Sequence, residues 1–260
     1  MKKYLSKKIL LLFLVKLIFV SVLYAADDKE CKNGIPCIGE TAPEFTAVTT
    51  QGKINFPADY KGKWVILFSH PADFTPVCTT EIMTFGTMAK EFEDMNCKLI
   101  GLSVDGLSSH IAWLRTIKET IDYNGADGLE ITFPLIADIT MDVATKYNML
   151  QQSESSTATV RSVFFIDPKG VVRTIFYYPL TLGRNFNEIK RVLIGLQTID
   201  KFGVALPANW EPGDDVILPP PSTCDAAKER VEEASKDSDM KCYDWFLTTK
   251  KLPKEKIYKK

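Results

Sequence analysis

The apolar residues of the chain fall into short runs and helical repeats that alternate along its length. The continuous apolar run from Trp64 to Phe68 is typical of a buried strand. The segment after it carries apolar residues at helical spacing, at Phe85, Met88, Ala89, Phe92 and Met95. Further strands are predicted over 98–104, 133–137, 162–166 and 171–177, and further helices over 108–121, 141–147 and 185–199. This alternation predicts an α/β fold with three layers, one sheet between helices.

Two of these helices carry further local signals. The helix over 108–121 places its isoleucines and a leucine on one face, which we expect to be buried: Ile111, Leu114, Ile117 and Ile121. In the last helix, Asn185 and Glu188 have the spacing of a capping box, so the helix is expected to begin there.

The pattern changes at Gly203, where prolines replace the regular repeats. Pro207, Pro212 and the run 219–221 predict an extended arm over 203–260, beyond a main domain over 39–200. Ser222 and Asp225 are spaced like the capped start of a short polar helix. The arm has little apolar material of its own, so its large apolar side chains must bury against the main domain or against a second subunit: Trp210, Trp245 and Phe246.

The first residues form a different kind of segment. Four lysines precede the apolar run 9–26, which ends in small residues before an acidic stretch. This order is typical of a secretory signal peptide, predicted over 1–25. The alternative is a membrane anchor, but Lys16 interrupts the run, and a lysine at the centre of a membrane costs roughly 2.5 to 3.5 kcal/mol. We therefore expect cleavage and export to the periplasm, a secretory compartment or the exterior.

The net charge of the chain disfavours some classes of binding partner. The whole chain has 32 basic and 33 acidic residues, and five of its lysines lie within residues 1–25. Without that segment, 27 basic residues face 33 acidic ones, a net charge of −6. Such a surface disfavours nucleic acid and anionic lipid as partners.

The chemistry is concentrated in the stretch 69–81, SHPADFTPVCTTE, between the first apolar strand and its helix. Thr75 and Pro76 predict a helix start, with the threonine as N-cap, and Cys78 then falls in the first turn. Lowering the pKa of a thiol from about 8.5 to about 6 requires roughly 3.4 kcal/mol. A helix dipole supplies only about 0.3 to 1 kcal/mol, whereas a guanidinium about 4 Å away contributes on the order of 4 kcal/mol. The argument therefore requires an arginine from elsewhere in the fold.

These residues resemble a known family. Pro71, Thr75 and Cys78, in the spacing Pro-x-x-x-Thr-x-x-Cys, resemble the active-site loop of peroxiredoxins, and the longer string resembles their 1-Cys subgroup. The resemblance runs from about Gly39 to Tyr258 and includes TVRSVFFIDP at 159–168, Tyr178-Pro179, GRNF at 183–186 and PANW at 207–210. It implies a thioredoxin-like fold with a C-terminal dimerisation arm, as a homodimer that in some members closes into a homodecamer.

The resemblance also implies a function and a set of roles. The chain is expected to be a thiol-dependent peroxidase that reduces hydrogen peroxide and organic hydroperoxides through a sulfenic acid on Cys78, in antioxidant defence and redox homeostasis. Arg161 and Thr75 would bind the peroxide, Pro71 would shield the sulfur from water, and Glu81 would hold Arg161. His70 is expected to be a packed neighbour or a direct participant. Arg184 is expected to be either a surface residue at a helix start or, as part of GRNF at 183–186, a residue of the pattern shared with the family.

The other cysteines leave several possibilities open. Cys31 and Cys37 could form a small disulfide in an oxidising compartment, and Cys97 is expected to be a buried apolar side chain. In the related Cys-x-Asp-Trp-x-x-Cys motif of some members the second cysteine can resolve the sulfenic acid, but Thr248 stands at that place here. Cys242, Cys224 or an external thiol of the thioredoxin, glutaredoxin or glutathione class could act instead, with Cys242 preferred over Cys224.

Three further functions fit the sequence less well than a peroxidase. A ring-forming chaperone or scaffold would keep the fold without the chemistry, and a dithiol oxidase would need a second cysteine where Glu81 stands. A lipase-like Gly-x-Ser-x-Gly is absent from the stretch 61–65, which does not support phospholipase activity. No cofactor is expected, and no metal, because the cysteines and the two histidines lack metal-site spacing.

Overall fold

The computed structural model describes residues 35–252. The predicted signal peptide, Cys31 and the last residues of the arm lie outside that range. None of the helices within it combines the length and the apolar character that crossing a membrane would require.

One seven-stranded sheet forms the centre of the main domain. Its strands are β1 (Phe45–Thr49), β2 (Gly52–Phe56), β3 (Trp64–Ser69), β4 (Cys97–Ser103), β5 (Leu135–Ala137), β6 (Arg161–Ile166) and β7 (Val172–Tyr178). They lie in the order β2-β1-β5-β4-β3-β6-β7. β3, β4 and β5 are parallel, whereas β6 and β7 on one side and β1 and β2 on the other are antiparallel. β3 is central and buried along all six residues, as its continuous apolar sequence predicts.

The two faces of the sheet support separate cores because successive side chains of a strand point to opposite faces. On one face, Ile66 and Phe68 pack with residues of α1 (Pro76–Asp94), α2 (Leu107–Thr120) and α4 (Phe186–Phe202). On the other face, Val65 and Leu67 pack with residues of β1, β2 and the short helix α3 (Asp142–Lys146). The predicted three-layer α/β arrangement is therefore present.

Several local predictions need correction. On α2 the buried face is formed by His110, Trp113 and Ile117, whereas Ile111 is exposed, because the helix is turned so that its polar histidine faces inward. At the start of α4 the Asn185 side chain accepts from two backbone N–H groups, but Glu188 pairs with Arg191 instead of completing the capping box.

The C-terminal region is more ordered than the proline pattern suggested. β8 (Val216–Ile217), β9 (Met240–Asp244) and β10 (Leu247–Lys250) form a separate antiparallel sheet in the order β8-β10-β9, with α5 (Cys224–Lys236) before β9. Thr223, not Ser222, caps α5, because its hydroxyl accepts from the Ala226 N–H.

The large apolar side chains of the arm divide into two groups. Trp210 is 1% exposed and packs at Gly195 of α4, and its carbonyl accepts from Arg191, so this residue buries against its own chain. Trp245 and Phe246 lie against each other at the β9–β10 turn and remain 43% and 54% exposed. Of the three, these two form an exposed apolar surface.

Candidate active site

The predicted strand, turn and helix around Cys78 are present. β3 ends at Ser69, and α1 begins at Pro76 with Cys78 as its third residue. The first N–H groups of an α-helix have no carbonyl partner within the helix, and they form the positive end of its dipole. Cys78 is fully buried on the helical face that packs against the sheet. Its sulfur thus lies at the helix start and away from bulk water.

Thr75 occupies the N-cap position, but its side chain does not cap the helix. Its hydroxyl donates to the carbonyl of Ala72 at 2.9 Å, and no side-chain capping bond forms. Its backbone carbonyl accepts from the N–H and the hydroxyl of Thr79. Because the hydroxyl proton is held by Ala72, Thr75 Oγ1 can accept a hydrogen bond while the first N–H groups of α1 stay free.

Arg161, the first residue of β6, reaches Cys78 from the neighbouring strand. Its Nη1 donates to Cys78 Sγ at 3.3 Å and to Glu81 Oε2 at 2.7 Å. Its Nε and Nη2 donate to the carbonyl of Leu180 at 3.0 and 2.6 Å. β3 and β6 are antiparallel neighbours, so the start of β6 lies beside the end of β3. The charge argument required a guanidinium at the sulfur, and the structure places one there.

Glu81 joins two buried arginines. Besides Arg161, it binds Arg184, whose backbone N–H and Nε donate to Oε1 at 2.8 and 2.9 Å and whose Nη2 donates to Oε2 at 2.7 Å. Burial alone would raise the pKa of Glu81, but the charges and hydrogen bonds of Arg184 and Arg161 outweigh it and lower the pKa. The carboxylate is therefore ionised, and it fixes Arg161 at the sulfur.

Arg184 is buried, so the surface alternative for this residue is wrong. Its Nη1 donates to the carbonyls of Ser69 and Ser162, at the ends of the two strands that flank the site. Its guanidinium also lies over the rings of Phe68 and Phe85. The GRNF motif at 183–186 does not by itself indicate a role for Arg184. In the structure, Arg184 connects Glu81 to the two strands of the sheet.

His70 belongs to a buried polar cluster that the sequence did not reveal. Its Nε2 lies 3.1 Å from Asp73 Oδ1, and His110 Nδ1 lies 3.0 and 2.8 Å from the two Asp73 oxygens. A nitrogen of each histidine and an oxygen of Asp73 lie within 4.8 Å of one another, a spacing that would also allow a metal ion between them. Both histidines are fully buried and Asp73 is nearly so.

Pro71 and the other cysteines lie in separate parts of the fold. Pro71 is buried beside His70, within the loop that precedes α1. Cys97 begins β4 and pairs with Trp64, at the opposite end of β3 from Cys78. Cys224 is exposed at the start of α5, and Cys242 Sγ accepts from Thr248 Oγ1 at 3.5 Å within the β9–β10 hairpin. Cys31 is outside the described residues, so its pairing with Cys37 stays a prediction.

Comparisons with known proteins place the chain among relatives of one family. The model of the AhpC/TSA family matches residues 38–175, and that of the C-terminal domain of 1-Cys peroxiredoxin matches residues 195–234. A peroxiredoxin of Methanosarcina mazei is 59% identical over 217 residues, which cover 84% of this chain and 98% of the relative. One of Aquifex aeolicus is 49% identical, with 84% and 98% covered.

Solved structures show the same similarity. A yeast mitochondrial 1-Cys peroxiredoxin is 44% identical, with a TM-score of 0.72, and the match covers 84% of this chain and 100% of that one. A cysteine-to-serine mutant of peroxiredoxin 6 of Arenicola marina is 33% identical, with a TM-score of 0.73 and coverage of 84% and 99%.

Proposed function

This chain belongs to the peroxiredoxin family and is a thiol-dependent peroxidase, and we propose that Cys78 is the cysteine that attacks hydrogen peroxide and organic hydroperoxides. The observation that carries this proposal is the contact of 3.3 Å between Arg161 Nη1 and Cys78 Sγ at the start of α1. It supplies a fixed positive charge to a buried sulfur, which is what a thiolate nucleophile requires.

The chemical step follows from these positions. The thiolate attacks one peroxide oxygen, an S–O bond forms, and the O–O bond breaks. The second oxygen leaves with the electron pair of that bond and takes a proton to become water or an alcohol, while Cys78 becomes a sulfenic acid. The leaving oxygen is stabilised by Arg161 and by the positive N-terminal end of α1, in whose first turn Cys78 lies.

Arg161 keeps one donor for this purpose. A guanidinium has five N–H protons, and four of those of Arg161 are donated to Cys78, Glu81 and Leu180 within residues 35–252. The remaining proton on Nη2 is available to a peroxide oxygen. Thr75 complements it by accepting from the peroxide O–H, since its own proton is already donated to Ala72.

Peroxiredoxins of this type use a thiol reductant, and we propose that an external thiol of the thioredoxin, glutaredoxin or glutathione class resolves the sulfenic acid here. The related yeast structure is described with resolution via the glutathione and thioredoxin systems. Two observations favour an external thiol. Cys97 lies at the end of β3 that is far from Cys78. Beside Cys242 in the hairpin, Thr248 stands where some family members have the resolving cysteine. Resolution by Cys242 across a dimer, or by Cys224, remains the alternative.

We also propose that the chain is exported and that it forms homodimers through its arm. The lysine-rich apolar segment before residue 27 supports export, and it precedes the part that the family model matches. The exposed pair Trp245 and Phe246 supports contact with a second subunit. N-terminal sequencing of the secreted protein and sedimentation of a Trp245→Ser variant test these two points; an uncleaved N-terminus or an unchanged dimer would contradict them.

The function is tested by peroxide consumption and by mass spectrometry. With dithiothreitol as reductant, the wild-type protein should consume hydrogen peroxide and Cys78→Ser should not, whereas Cys97→Ala is the matched control that retains activity. After one equivalent of peroxide, an external-thiol enzyme shows a sulfenic acid on Cys78 and no bridge to Cys242 or Cys224. Equal consumption by wild type and Cys78→Ser would refute the assignment of the nucleophile.

A further inference from the structure

The polar cluster around Asp73 has a role of its own. We infer that His110 is a buried imidazolium paired with the Asp73 carboxylate, and that these two residues position the loop that carries Cys78. The second part of this inference rests on the peroxidase function; the first part depends only on the hydrogen bonds of the cluster.

The protonation of His110 follows from its two partners. Nε2 lies 3.1 Å from the carbonyl of Ile136, and a carbonyl only accepts, so Nε2 must carry a proton. Nδ1 lies 2.8 Å from an oxygen of Asp73. Burial would raise the pKa of Asp73, but hydrogen bonds from His110 and His70 outweigh it and hold that pKa well below its usual value. Nδ1 therefore also carries a proton, and the ring is a cation.

The charge of the cluster fixes the state of His70. One cation and one carboxylate already balance, and burial, with a smaller contribution from the charge of His110, lowers the pKa of His70. Its Nε2 proton is donated to Asp73, which leaves Nδ1 as a lone pair without a partner among residues 35–252. Two other charged groups face the cluster: the Asp105 carboxylate accepts from the Asp73 N–H at 2.9 Å, and Arg184 adds positive charge near His70.

Hydrogen bonds suit the cluster better than a metal ion. The three contacts of 2.8 to 3.1 Å have ordinary hydrogen-bond lengths. A divalent ion held by two neutral histidines and one carboxylate would leave a net positive charge in a fully buried site. It would also turn His70 Nδ1 into a buried donor with no acceptor, which is costly.

The cluster joins α2 to the loop in front of Cys78. Asp73 is held from three sides, by His70, His110 and Asp105. One turn after His110, Trp113 Nε1 donates to the hydroxyl of Thr79 in the first turn of α1. α2 thus contacts the loop before Cys78 and the helix after it. The residue between Asp73 and Pro71 is Ala72, whose carbonyl orients Thr75, so a shift of Asp73 reaches the peroxide-binding hydroxyl.

The protonation states can be measured directly because the chain contains only two histidines. Untagged full-length protein labelled with ¹⁵N in histidine gives four ring-nitrogen signals, which His110→Asn assigns. We expect two protonated nitrogens on His110 and one, Nε2, on His70 at neutral pH. A single protonated nitrogen on His110 would overturn the inference, and so would one zinc or iron per chain that is lost in the variant.

The positioning role is tested by variants at His110. His110→Phe keeps a ring but removes both donors, and should lower the rate constant of Cys78 with hydrogen peroxide by about tenfold or more, since small displacements at a reacting group are costly. His110→Asn keeps a donor near Nδ1 and should recover part of the loss. Ile117→Val, a core change on the same helix, is the matched control for lost packing and should react at the wild-type rate.

These outcomes separate the two parts of the inference. A wild-type rate in His110→Phe, or an equal loss in Ile117→Val, would overturn the positioning role. If the wild-type protein failed to react with peroxide at all, the proposed function would fail, while the ring-nitrogen signals would still decide the charge of His110.

Discussion

The carboxylate of Glu81 should contribute more to stability and to activity than any surface charge of this protein. It accepts four hydrogen bonds, three from Arg184 and one from Arg161, and the side chains of all three residues are at most 3% exposed. Glu81→Gln keeps the shape but removes the charge and places an amide donor against an arginine. Two buried guanidinium groups then share the Cys78 sulfur as their single negative partner among these four residues.

The size of the effect follows from that burial. Removing one partner of a buried ion pair costs about 3 to 5 kcal/mol, which for a chain of this size corresponds to roughly 6 to 20 °C in the melting temperature. Apart from its contact with the Cys78 sulfur, Arg161 would then be held by the Leu180 carbonyl alone. We expect the rate constant with peroxide to fall roughly 10- to 100-fold. Glu188→Gln is the matched control: it breaks a partly exposed pair with Arg191 on α4 and should cost under about 1 kcal/mol.

The pH dependence gives an independent check. The pKa of Glu81 is lowered in the folded protein from its ordinary value of 4.5. Its ionisation therefore stabilises the fold above about pH 4.5, and that stabilisation is lost as the pH falls through the lowered pKa. Urea unfolding should show the full gap between wild type and Glu81→Gln at pH 7 and a smaller gap at pH 3.5. An equal gap at both pH values, or a Glu81→Gln variant as stable and active as Glu188→Gln, would refute this account of the carboxylate.

Three further predictions follow from the same contacts. Arg161→Lys should lower the peroxide rate constant by roughly 100- to 1000-fold, because one ammonium cannot reproduce the fork that reaches both Leu180 and the sulfur; stopped-flow fluorescence measures it, and a loss below tenfold would contradict the role of the fork. Thr75→Val should slow the same reaction roughly tenfold or more while Thr75→Ser retains most of the rate, and equal rates in the two variants would show that the hydroxyl does not bind peroxide. Burial lowers the pKa of His70 below 6.5, so the folded protein should lose up to about 1.4 kcal/mol of stability per pH unit below pH 6.5; urea unfolding at pH 6.5 and 5.5 checks this, and a His70→Asn variant with the same slope would exclude His70 as its source.

The elements that can be predicted from sequence are the buried ones that consist of continuous apolar residues. β3 and β6 are buried along their whole length and stand out as apolar runs. The sequence does not indicate β1 and β2, because each is only five residues long and partly exposed, with few apolar positions. The strands of the arm are not indicated either, for the same reason. β9 and β10 contain few apolar side chains in alternation with polar ones, so their sequences resemble that of a loop.

The site divides in a similar way. Cys78 and Thr75 could be found because helix-start signals are local. The charge of a thiolate required an arginine from elsewhere in the fold, and the family resemblance assigned that role to Arg161. The roles of Arg184 and His110 depend on contacts with Glu81, 103 residues away, and with Asp73, 37 residues away. No local pattern indicates such contacts, and the sequence does not show whether an arginine or a histidine is buried or exposed. Only the topology, which brings β3, β6 and α2 together, reveals them.

Charge balance around the sulfur leads to a last prediction. The group formed by Cys78, Glu81, Arg161 and Arg184 is neutral only when the sulfur is a thiolate, because the carboxylate compensates one guanidinium. Oxidation to a neutral sulfenic acid would leave one buried positive charge, which favours opening of the site toward a reducing thiol. Cys78→Ser imitates that neutral state in shape and should lower the unfolding free energy by about 1 to 3 kcal/mol. Cys78→Asp restores a negative charge and should recover part of the loss in urea unfolding at pH 7. If Cys78→Ser is as stable as the reduced wild-type protein, the sulfur does not compensate the second arginine.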